Sequence, residues 1–175
     1  MTFTEILNRR RSIRRFTSQK IDRNLIDRLL KAAFTAPSSK NTRSTRFMVV
    51  ENPDLLARIA EMRDFGSAFV KDAPLAIVVL GDTSATDLWV DNCAISATIL
   101  QLAAVDEGLG SCWVHVNGRP RKREEPDGET ATEWLREILP IPENWQPLCV
   151  IALGYPDGEI KPHSEKNDLE QVIRL

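Results

Sequence analysis

The sequence predicts a single α/β or α+β domain, because predicted strands and helices alternate along the whole chain. Two continuous apolar runs, 75–80 and 148–153, are typical of strands buried on both faces of a sheet. Between them, residues 86–107 form a long helical stretch that is apolar on most sides. No repeat, low-complexity segment or linker divides residues 1–175, and that length suffices for one core without metals or disulfides.

The first two helices are marked by their ends. Thr2 and Glu5 have the spacing of a capping box, so a short helix should run into the arginines that begin at Arg9. Residues 22–34 carry one apolar stripe at helical spacing and end before Pro37. The second helix should therefore pack one face against the core.

The middle of the chain predicts a strand at 47–51 and a helix at 53–62, ahead of the buried strand 75–80. The long helix 86–107 is closed by Gly108, which suits the position just after a helix end. Because this helix is apolar on most sides, it should be a central or an interface helix.

The last third begins with a strand at 111–116 and a polar loop at 117–127, in which basic residues stand beside glutamates. Thr130 and Glu133 form another capping box, for a helix that ends before Pro140. A last buried strand and a polar tail follow.

Net charge, cysteine content and the lengths of apolar stretches limit the classes of function that the protein could have. Acidic and basic residues nearly cancel to a formal charge of -2, so no global field favours nucleic acid or an anionic membrane surface. Three scattered cysteines in apolar surroundings favour reduced thiols. With no apolar signal-peptide core and no stretch long enough to span a bilayer, we expect a soluble, cytoplasmic protein. His115, His163 and the cysteines lack metal-ligand spacing, so no metal is expected.

Residues 9–16 contain five arginines and one serine within eight positions. Arginine presents a planar fork of donors to phosphate or carboxylate, and the hydroxyl of Ser12 adds another donor. The segment therefore predicts a site for a phosphorylated ligand, with a solvated basic turn as the alternative. A nucleic-acid-binding module that also uses the arginines of 119–123 is a further alternative, but no aromatic RNA-binding signature or zinc spacing accompanies them.

Two loops could contribute to the same ligand site. In the loop before the first strand, Ser38, Ser39 and Asn41 either hydrogen-bond a polar heterocycle or simply cap and turn the backbone. In 108–113, two glycines would let the backbone approach a ligand closely, although Trp113 stands where a dinucleotide fingerprint has its third glycine. Each loop alone is weak evidence for a site.

Taken in order, these segments resemble the nitroreductase family of FMN-dependent enzymes over essentially the whole chain. The family's Arg-Arg-Ser-x-Arg-x-Phe opening, Ala-Pro-Ser-x-x-Asn loop, Gly-Leu-Gly after a long helix and Gly-Tyr-Pro after a strand are all present. The matching residues are Arg10, Arg11, Ser12, Arg14 and Phe16; Ala36, Pro37, Ser38 and Asn41; Gly108–Gly110; and Gly154–Pro156. Four matches in the same order argue against coincidence.

The resemblance implies an α+β sandwich, with a central, mostly antiparallel sheet flanked by helices and a long buried helix at a homodimer interface. It also implies that Arg10, Ser12 and Lys166 hold the phosphate or ribityl chain of FMN, with Arg11 in the same segment. Arg14 would lie near the pyrimidine edge of the flavin.

The remaining contacts implied by the resemblance come from two other segments. The loop from the partner subunit would contribute Pro37, Ser38, Ser39 and Asn41. The backbone around the strand 111–116 would line the other flavin edge near N5, at Ser111, Cys112, Trp113, His115 and Val116. Each site would thus need two chains.

The chemistry implied by the resemblance is a ping-pong reaction, in which NAD(P)H reduces flavin N5 and a small nitroaromatic, quinone or similar electrophile then takes the electrons. Arg14 would stabilise the anion of reduced flavin, and hydride transfer demands no side-chain acid or base. A non-catalytic FMN-binding or sensory protein of the same fold is the alternative. Arg43, Ser44 and Thr45 replace a frequent Gln-Pro-Trp, so the pocket rim should be more cationic and less apolar than is usual. Lys166 replaces a common arginine and gives one point charge instead of a bidentate fork.

Overall fold

The computed structural model describes residues 1–161, 163 and 168–174. Its centre is an antiparallel sheet of four strands in the spatial order β1-β2-β4-β3. The strands are β1 (Thr45–Val50), β2 (Leu75–Asp82), β3 (Gly110–His115) and β4 (Trp145–Gly154). The α+β class with an antiparallel sheet is confirmed, and β1 and β3 form its two edges.

Five α-helices surround this sheet. They are α1 (Phe3–Arg9), α2 (Arg23–Phe34), α3 (Pro53–Ala60), α4 (Trp89–Asp106) and α5 (Ala131–Ile138). Short 3₁₀ turns occur at Ser39–Asn41, Ala68–Asp72 and Asp168–Gln171. Helices α2 and α4 cover one face of the sheet, whereas α3, α5 and the second 3₁₀ turn cover the other. Because both faces are covered, the central strand β2 is buried at seven of its eight positions, as its apolar sequence predicts.

Local capping explains the helix starts. Both predicted capping boxes form: Thr2 with Glu5 at α1, and Thr130 with Glu133 at α5. Helix α4 begins at Trp89, three residues later than the sequence indicates, because Thr86 Oγ1 accepts the backbone N–H of Leu88 in a preceding turn.

Strand β4 begins at Trp145, three residues earlier than predicted. Pro147 makes the start of this strand look like a loop in the sequence. In the structure Pro147 lies opposite Leu80, beside a register shift at Val79 and Leu80. A proline is tolerated at such a bulge because the ladder is already interrupted there.

Helix α4 is only partly buried, although it is apolar on most sides. It packs against α2 and the sheet, but Ile95 is 41% exposed on its other side. Helix α1 packs next to α4 and buries none of its own residues, so Phe3 and Leu7 stay exposed. The fold thus presents an apolar face to solvent on the α1–α4 side.

The cysteines Cys93, Cys112 and Cys149 are all buried free thiols, as predicted. Within the part of the chain that the structure describes, no helix combines the length and apolarity needed to cross a bilayer. The described residues also contain no group of three His, Cys, Asp or Glu side chains positioned for a metal ion.

Candidate functional site

The arginine-rich segment 10–16 is fixed to the sheet at two points. The backbone N–H of Ile13 donates to the carbonyl oxygen of Ser111 on β3 at 2.9 Å. Further along, the N–H of Thr17 donates to the carbonyl oxygen of Tyr155, just after β4, at 2.9 Å. The segment therefore crosses the ends of two adjacent strands instead of extending into solvent.

The glycines of the Gly-Leu-Gly motif have structural roles within the chain. Gly108 has a φ of +77°, the left-handed conformation that ends α4. A Cβ at Gly110 would lie 2.8 Å from Cβ of Ile13, so this glycine lets the arginine-rich segment dock on β3. At Gly110 the space is thus filled by a side chain of the same chain, whereas no atom lies within 4 Å of a Cβ built at Gly108.

A cleft opens beside the docked segment. Ser12 and Arg14 line it on one side, and the turn 156–160 that follows β4 lines the other. Both side chains are exposed at the surface of the protein. The cleft therefore brings a hydroxyl and a guanidinium to the same opening.

Two arginines of the segment remain available to an anion. Among the described residues, neither Arg10 nor Arg14 forms an ion pair with a carboxylate. By contrast, Arg11 Nε donates to the carbonyl oxygen of Lys161 at 2.8 Å, which ties the segment to the tail. Arg10, Ser12 and Arg14 carry guanidinium and hydroxyl donors of the kind that bind phosphate or carboxylate, and Ser12 and Arg14 line the same cleft.

The outer edge of β3 carries backbone groups that β4 does not use. The N–H of Val116 donates to the carbonyl oxygen of Leu148 at 3.0 Å, and alternate residues of an antiparallel pair face opposite sides. The backbone groups of Trp113 and His115 consequently point to the open edge, on the same side as the Ser111 carbonyl oxygen. A flat heterocycle placed here would meet backbone donors, whereas the Val116 N–H is already engaged.

Side chains on β3 contribute unequally to this edge. Ser111 and Cys112 are buried, the backbone groups of Cys112 face β4, and the carbonyl oxygen of Ser111 accepts the N–H of Ile13. The rings of Trp113 and His115 stack with centroids 6.2 Å apart. Burial, and then the nearby guanidiniums of Arg119 and Arg63, lower the pKa of His115. The imidazole is therefore neutral near pH 7.

The loop before β1 adopts a strained backbone. Lys40, Asn41 and Arg43 have φ values of 48°, 55° and 47°, in the left-handed region that residues other than glycine rarely adopt. The N–H of Arg43 donates to Ser38 Oγ, and the N–H of Ser39 donates to Asn92 Oδ1, both at 2.9 Å. Such strain persists only where surrounding contacts impose it, and it is concentrated at ligand sites.

One chain does not bring this loop to the edge of β3. The loop 38–43 leads into β1, and β1 is separated from β3 by two strands. Three strand spacings place the two edges about 14 Å apart. Pro37, Ser38, Ser39 and Asn41 thus lie away from the groups at the β3 edge, and Lys166 falls outside the described residues.

A model of the nitroreductase family matches residues 7–64 and 60–155 of the chain. The chain belongs to the nitroreductase family. A solved FMN-dependent nitroreductase from Clostridium difficile R20291 is 36% identical, with a TM-score of 0.90, and the alignment covers 97% of this chain and 96% of that one. The fold and its sequence motifs therefore agree with those of this family.

Two curated relatives carry different names. The "Putative NADH dehydrogenase/NAD(P)H nitroreductase" of Methanothermobacter thermautotrophicus is 38% identical over 159 residues, which cover 89% of this chain and 78% of that protein. Iodotyrosine deiodinase 1 of Rattus norvegicus is 43% identical over 207 aligned positions, which cover 98% of this chain and 68% of that protein. Similarity to this nitroreductase chain thus extends to proteins with distinct named activities.

Sequence reasoning assigned none of three side chains near the candidate site to a flavin site, and it considered Arg119 only for nucleic acid. Asn92 anchors the strained loop, but a single amide in an apolar helix gives no pattern to detect. Arg63 and Arg119 lie beside His115, and 56 sequence positions separate them. Only the folded chain brings them together.

Proposed function

We propose that this nitroreductase is an FMN-dependent oxidoreductase that takes electrons from NAD(P)H and passes them to a small conjugated electrophile in a ping-pong reaction. The docking of residues 10–16 against the open edge of β3 is the observation that carries the proposal, because it aligns phosphate donors with backbone donors. A 36% identical structure is named FMN-dependent, and a 38% identical relative carries NAD(P)H in its name, which supports both cofactors.

The donor set fits FMN. Arg10 and Ser12 would hold the phosphate, with Lys166 of the tail as a third group. Arg14 would face the pyrimidine edge, and the backbone of Trp113 and His115 would meet the rest of the ring along β3. Guanidinium, hydroxyl and amide donors match the anionic and carbonyl acceptors of this cofactor.

Bound FMN would supply the redox chemistry, accepting electrons from the nicotinamide and releasing them to the acceptor. The chain's own part is to bind, orient and stabilise. A fixed positive charge at Arg14 favours an anion that develops beside it, without reorganisation during the reaction. His115 is neutral and its Nδ1 accepts the Trp113 Nε1–H at 3.4 Å, so it supports β3 rather than storing a proton.

We further propose that the site is completed in a homodimer in the cytoplasm, where the three thiols stay reduced. The exposed apolar residues Phe3, Leu7 and Ile95 on α1 and α4 form the surface that a second copy would cover. The partner's loop, with Pro37, Ser38, Ser39 and Asn41, would then reach the β3 edge that the chain's own loop does not. The strain in that loop is consistent with a fixed ligand-facing conformation.

The test begins with purified protein, which should be yellow and contain one FMN per chain. Under anaerobic conditions NADH or NADPH should bleach the flavin, and nitroaromatic, quinone or halogenated phenol acceptors should restore its colour. Protein that takes up no FMN would contradict the proposal. Bound flavin that neither nicotinamide reduces would identify a non-catalytic FMN-binding protein instead.

A matched pair of variants tests the phosphate assignment. Replacing Arg10 by Gln and Ser12 by Ala together should weaken FMN binding at least tenfold, because hydrogen bonds to a charged group contribute about 1.5–3 kcal/mol each. Arg28→Gln is the control, since Arg28 pairs with Glu107 at the surface and does not line the cleft. Equal affinity in the double variant and the control would refute the assignment.

A further inference from the structure

Hydrogen bonds join the loop after β3, at residues 121–123, to the segment that follows α3, at residues 61–64. We call this set of hydrogen bonds the latch. Arg121 Nε donates to the carbonyl oxygen of Glu61 at 3.2 Å, and the N–H of Asp64 donates to the carbonyl oxygen of Arg121 at 2.9 Å. The N–H of Arg123 donates to Asp64 Oδ2 at 2.9 Å. These bonds hold the two segments side by side, at the end of β3 away from Ser12.

The latch places Arg63 against the open edge of β3. Its Nη1 lies 3.5 Å from the carbonyl oxygen of His115, the longest distance compatible with a hydrogen bond. Its Nε is buried and has no hydrogen-bond partner among the described residues. A buried guanidinium N–H without a hydrogen-bond acceptor costs free energy, so a bound group that accepts this hydrogen bond would stabilise the site.

The surroundings of Arg63 have an excess of positive charge. Burial, and then the charge of Arg119, lower the pKa of Arg63, while Asp64 acts in the opposite direction. Asp64 already accepts the N–H of Arg123. Arg119 is exposed and forms no ion pair within the described part of the chain. The charge of Arg119 thus acts on both Arg63 and His115, which places the two guanidiniums close together, with Asp64 as the carboxylate that acts on Arg63.

This group is separate from the proposed phosphate site. Ser12 bridges to Ser111, whereas Arg63 contacts His115, four residues further along β3. At about 3.3 Å per residue the two ends are about 13 Å apart. The phosphate of an FMN held by Ser12 cannot also satisfy Arg63.

We propose that Arg63 and Arg119 form an anion-recognition site for the carboxylate or phosphate group of a small molecule that reacts beside the flavin. The inference rests on the proposed function, since it assumes that the β3 edge holds FMN. The anionic group could belong to the electron acceptor, as a carboxylate, or to the nicotinamide donor, as the additional phosphate of NADPH. Arginine suits both because its planar fork donates two parallel hydrogen bonds.

The decisive experiment compares acceptors that differ only in charge. With the FMN-loaded enzyme, kcat/KM is measured for 4-nitrobenzoate and 4-nitrobenzamide, in the wild type and in Arg63→Gln and Arg119→Gln. Loss of a charged hydrogen bond should lower kcat/KM at least tenfold for the carboxylate and less than about twofold for the amide. Arg119→Gln provides an independent reading if Arg63→Gln folds poorly, because Arg119 is exposed.

A second arm compares the donors. Anaerobic bleaching of bound flavin is timed with NADH and with NADPH in the same variants. A selective loss with NADPH assigns the site to the donor phosphate, and a selective loss with 4-nitrobenzoate assigns it to the acceptor. Variants that keep wild-type rates with every anionic partner would overturn the proposal.

Two controls separate this inference from the proposed function. Arg58→Gln changes an arginine of α3 that pairs with Glu137 on the surface, and it should affect no rate. FMN affinity, measured by quenching of flavin fluorescence, should be unchanged in Arg63→Gln and Arg119→Gln. If both variants lose FMN while Arg58→Gln retains it, the arginines bind the flavin itself and the substrate assignment is wrong.

Discussion

The side-chain amide of Asn92 on α4 joins both ends of the loop before β1. Its Oδ1 accepts the N–H of Ser39 at 2.9 Å, across 53 positions of sequence, and its Nδ2 donates to Ser44 Oγ at 2.9 Å. Asn92 is 3% exposed, so these bonds are made inside the protein. A single buried amide therefore fixes the conformation of a loop that carries three strained residues.

Replacing Asn92 by Ala should loosen this loop. We expect the free energy of unfolding to fall by about 1–3 kcal/mol, because buried partners lose their hydrogen bonds, and FMN binding to weaken. Ser96→Ala is the control: Ser96 lies on the same helix and donates to Thr45 Oγ1 at 3.2 Å without touching the loop. Urea unfolding and flavin titration of both variants check this, and wild-type FMN affinity in Asn92→Ala would contradict it.

Gly110→Ala should displace the arginine-rich segment from β3. The added Cβ would lie 2.8 Å from Ile13, closer than packing allows, so the segment must shift and FMN binding should weaken. Ile13→Gly in the same chain removes Cβ, Cγ1 and Cγ2 of Ile13, the three atoms that the added Cβ would meet, and should restore part of the affinity. Gly108→Ala is the control, because its cost of about 1 kcal/mol arises from the left-handed backbone alone. Equal flavin affinity in all three variants would rule out the docking role.

The three thiols should be unreactive in the folded protein. Burial raises the pKa of Cys93 to about 11 and raises those of Cys112 and Cys149 as well, so the reactive thiolate is scarce near pH 8. A chromogenic disulfide reagent should label no thiol rapidly under native conditions and three in denaturant. Fast labelling of the native protein would show that at least one thiol is accessible.

Removing the charge of Arg119 should raise the pKa of His115, because a neighbouring cation disfavours the imidazolium form. The titration of the imidazole resonances in Arg119→Gln and in the Arg58→Gln control tests this by NMR. The resonances of His163, the second histidine, are identified in a variant in which His163 is replaced. An unchanged midpoint for His115 would place Arg119 too far away to act with Arg63.

Because the pKa of His115 is lowered in the folded chain, the stability of the protein depends on pH. As pH falls below about 6.5, the unfolded chain takes up a proton at His115 before the folded chain does, so the free energy of unfolding decreases. The decrease should be smaller in Arg119→Gln, where the folded and unfolded pKa values of this group lie closer together. Urea unfolding at pH 7 and pH 5.5 measures the difference.

Much of the architecture could be predicted from local signals. Thr2 with Glu5, and Thr130 with Glu133, mark helix starts because a capping box is a local hydrogen-bonding pattern. Pro147 misled the strand prediction because its tolerance depends on a bulge that forms only against β2. Local pattern therefore predicts elements better than it predicts their pairing.

The candidate site could also be predicted only in part from the sequence. The arginines of segment 10–16 could be identified because they lie close together in the sequence and match a family motif. Arg63 and Arg119 could not, since a latch of backbone and side-chain hydrogen bonds between two loops brings them together. Their shared environment is a property of the tertiary structure.

The open backbone edge of β3 at Trp113 and His115 also affects how readily the protein aggregates before it binds FMN. Strand edges with unpaired groups can recruit strands from other molecules, and FMN bound as proposed would shield this edge. Newly made chains should therefore aggregate more readily when riboflavin is scarce. The yield of soluble protein would then follow the vitamin supply of the producing cell.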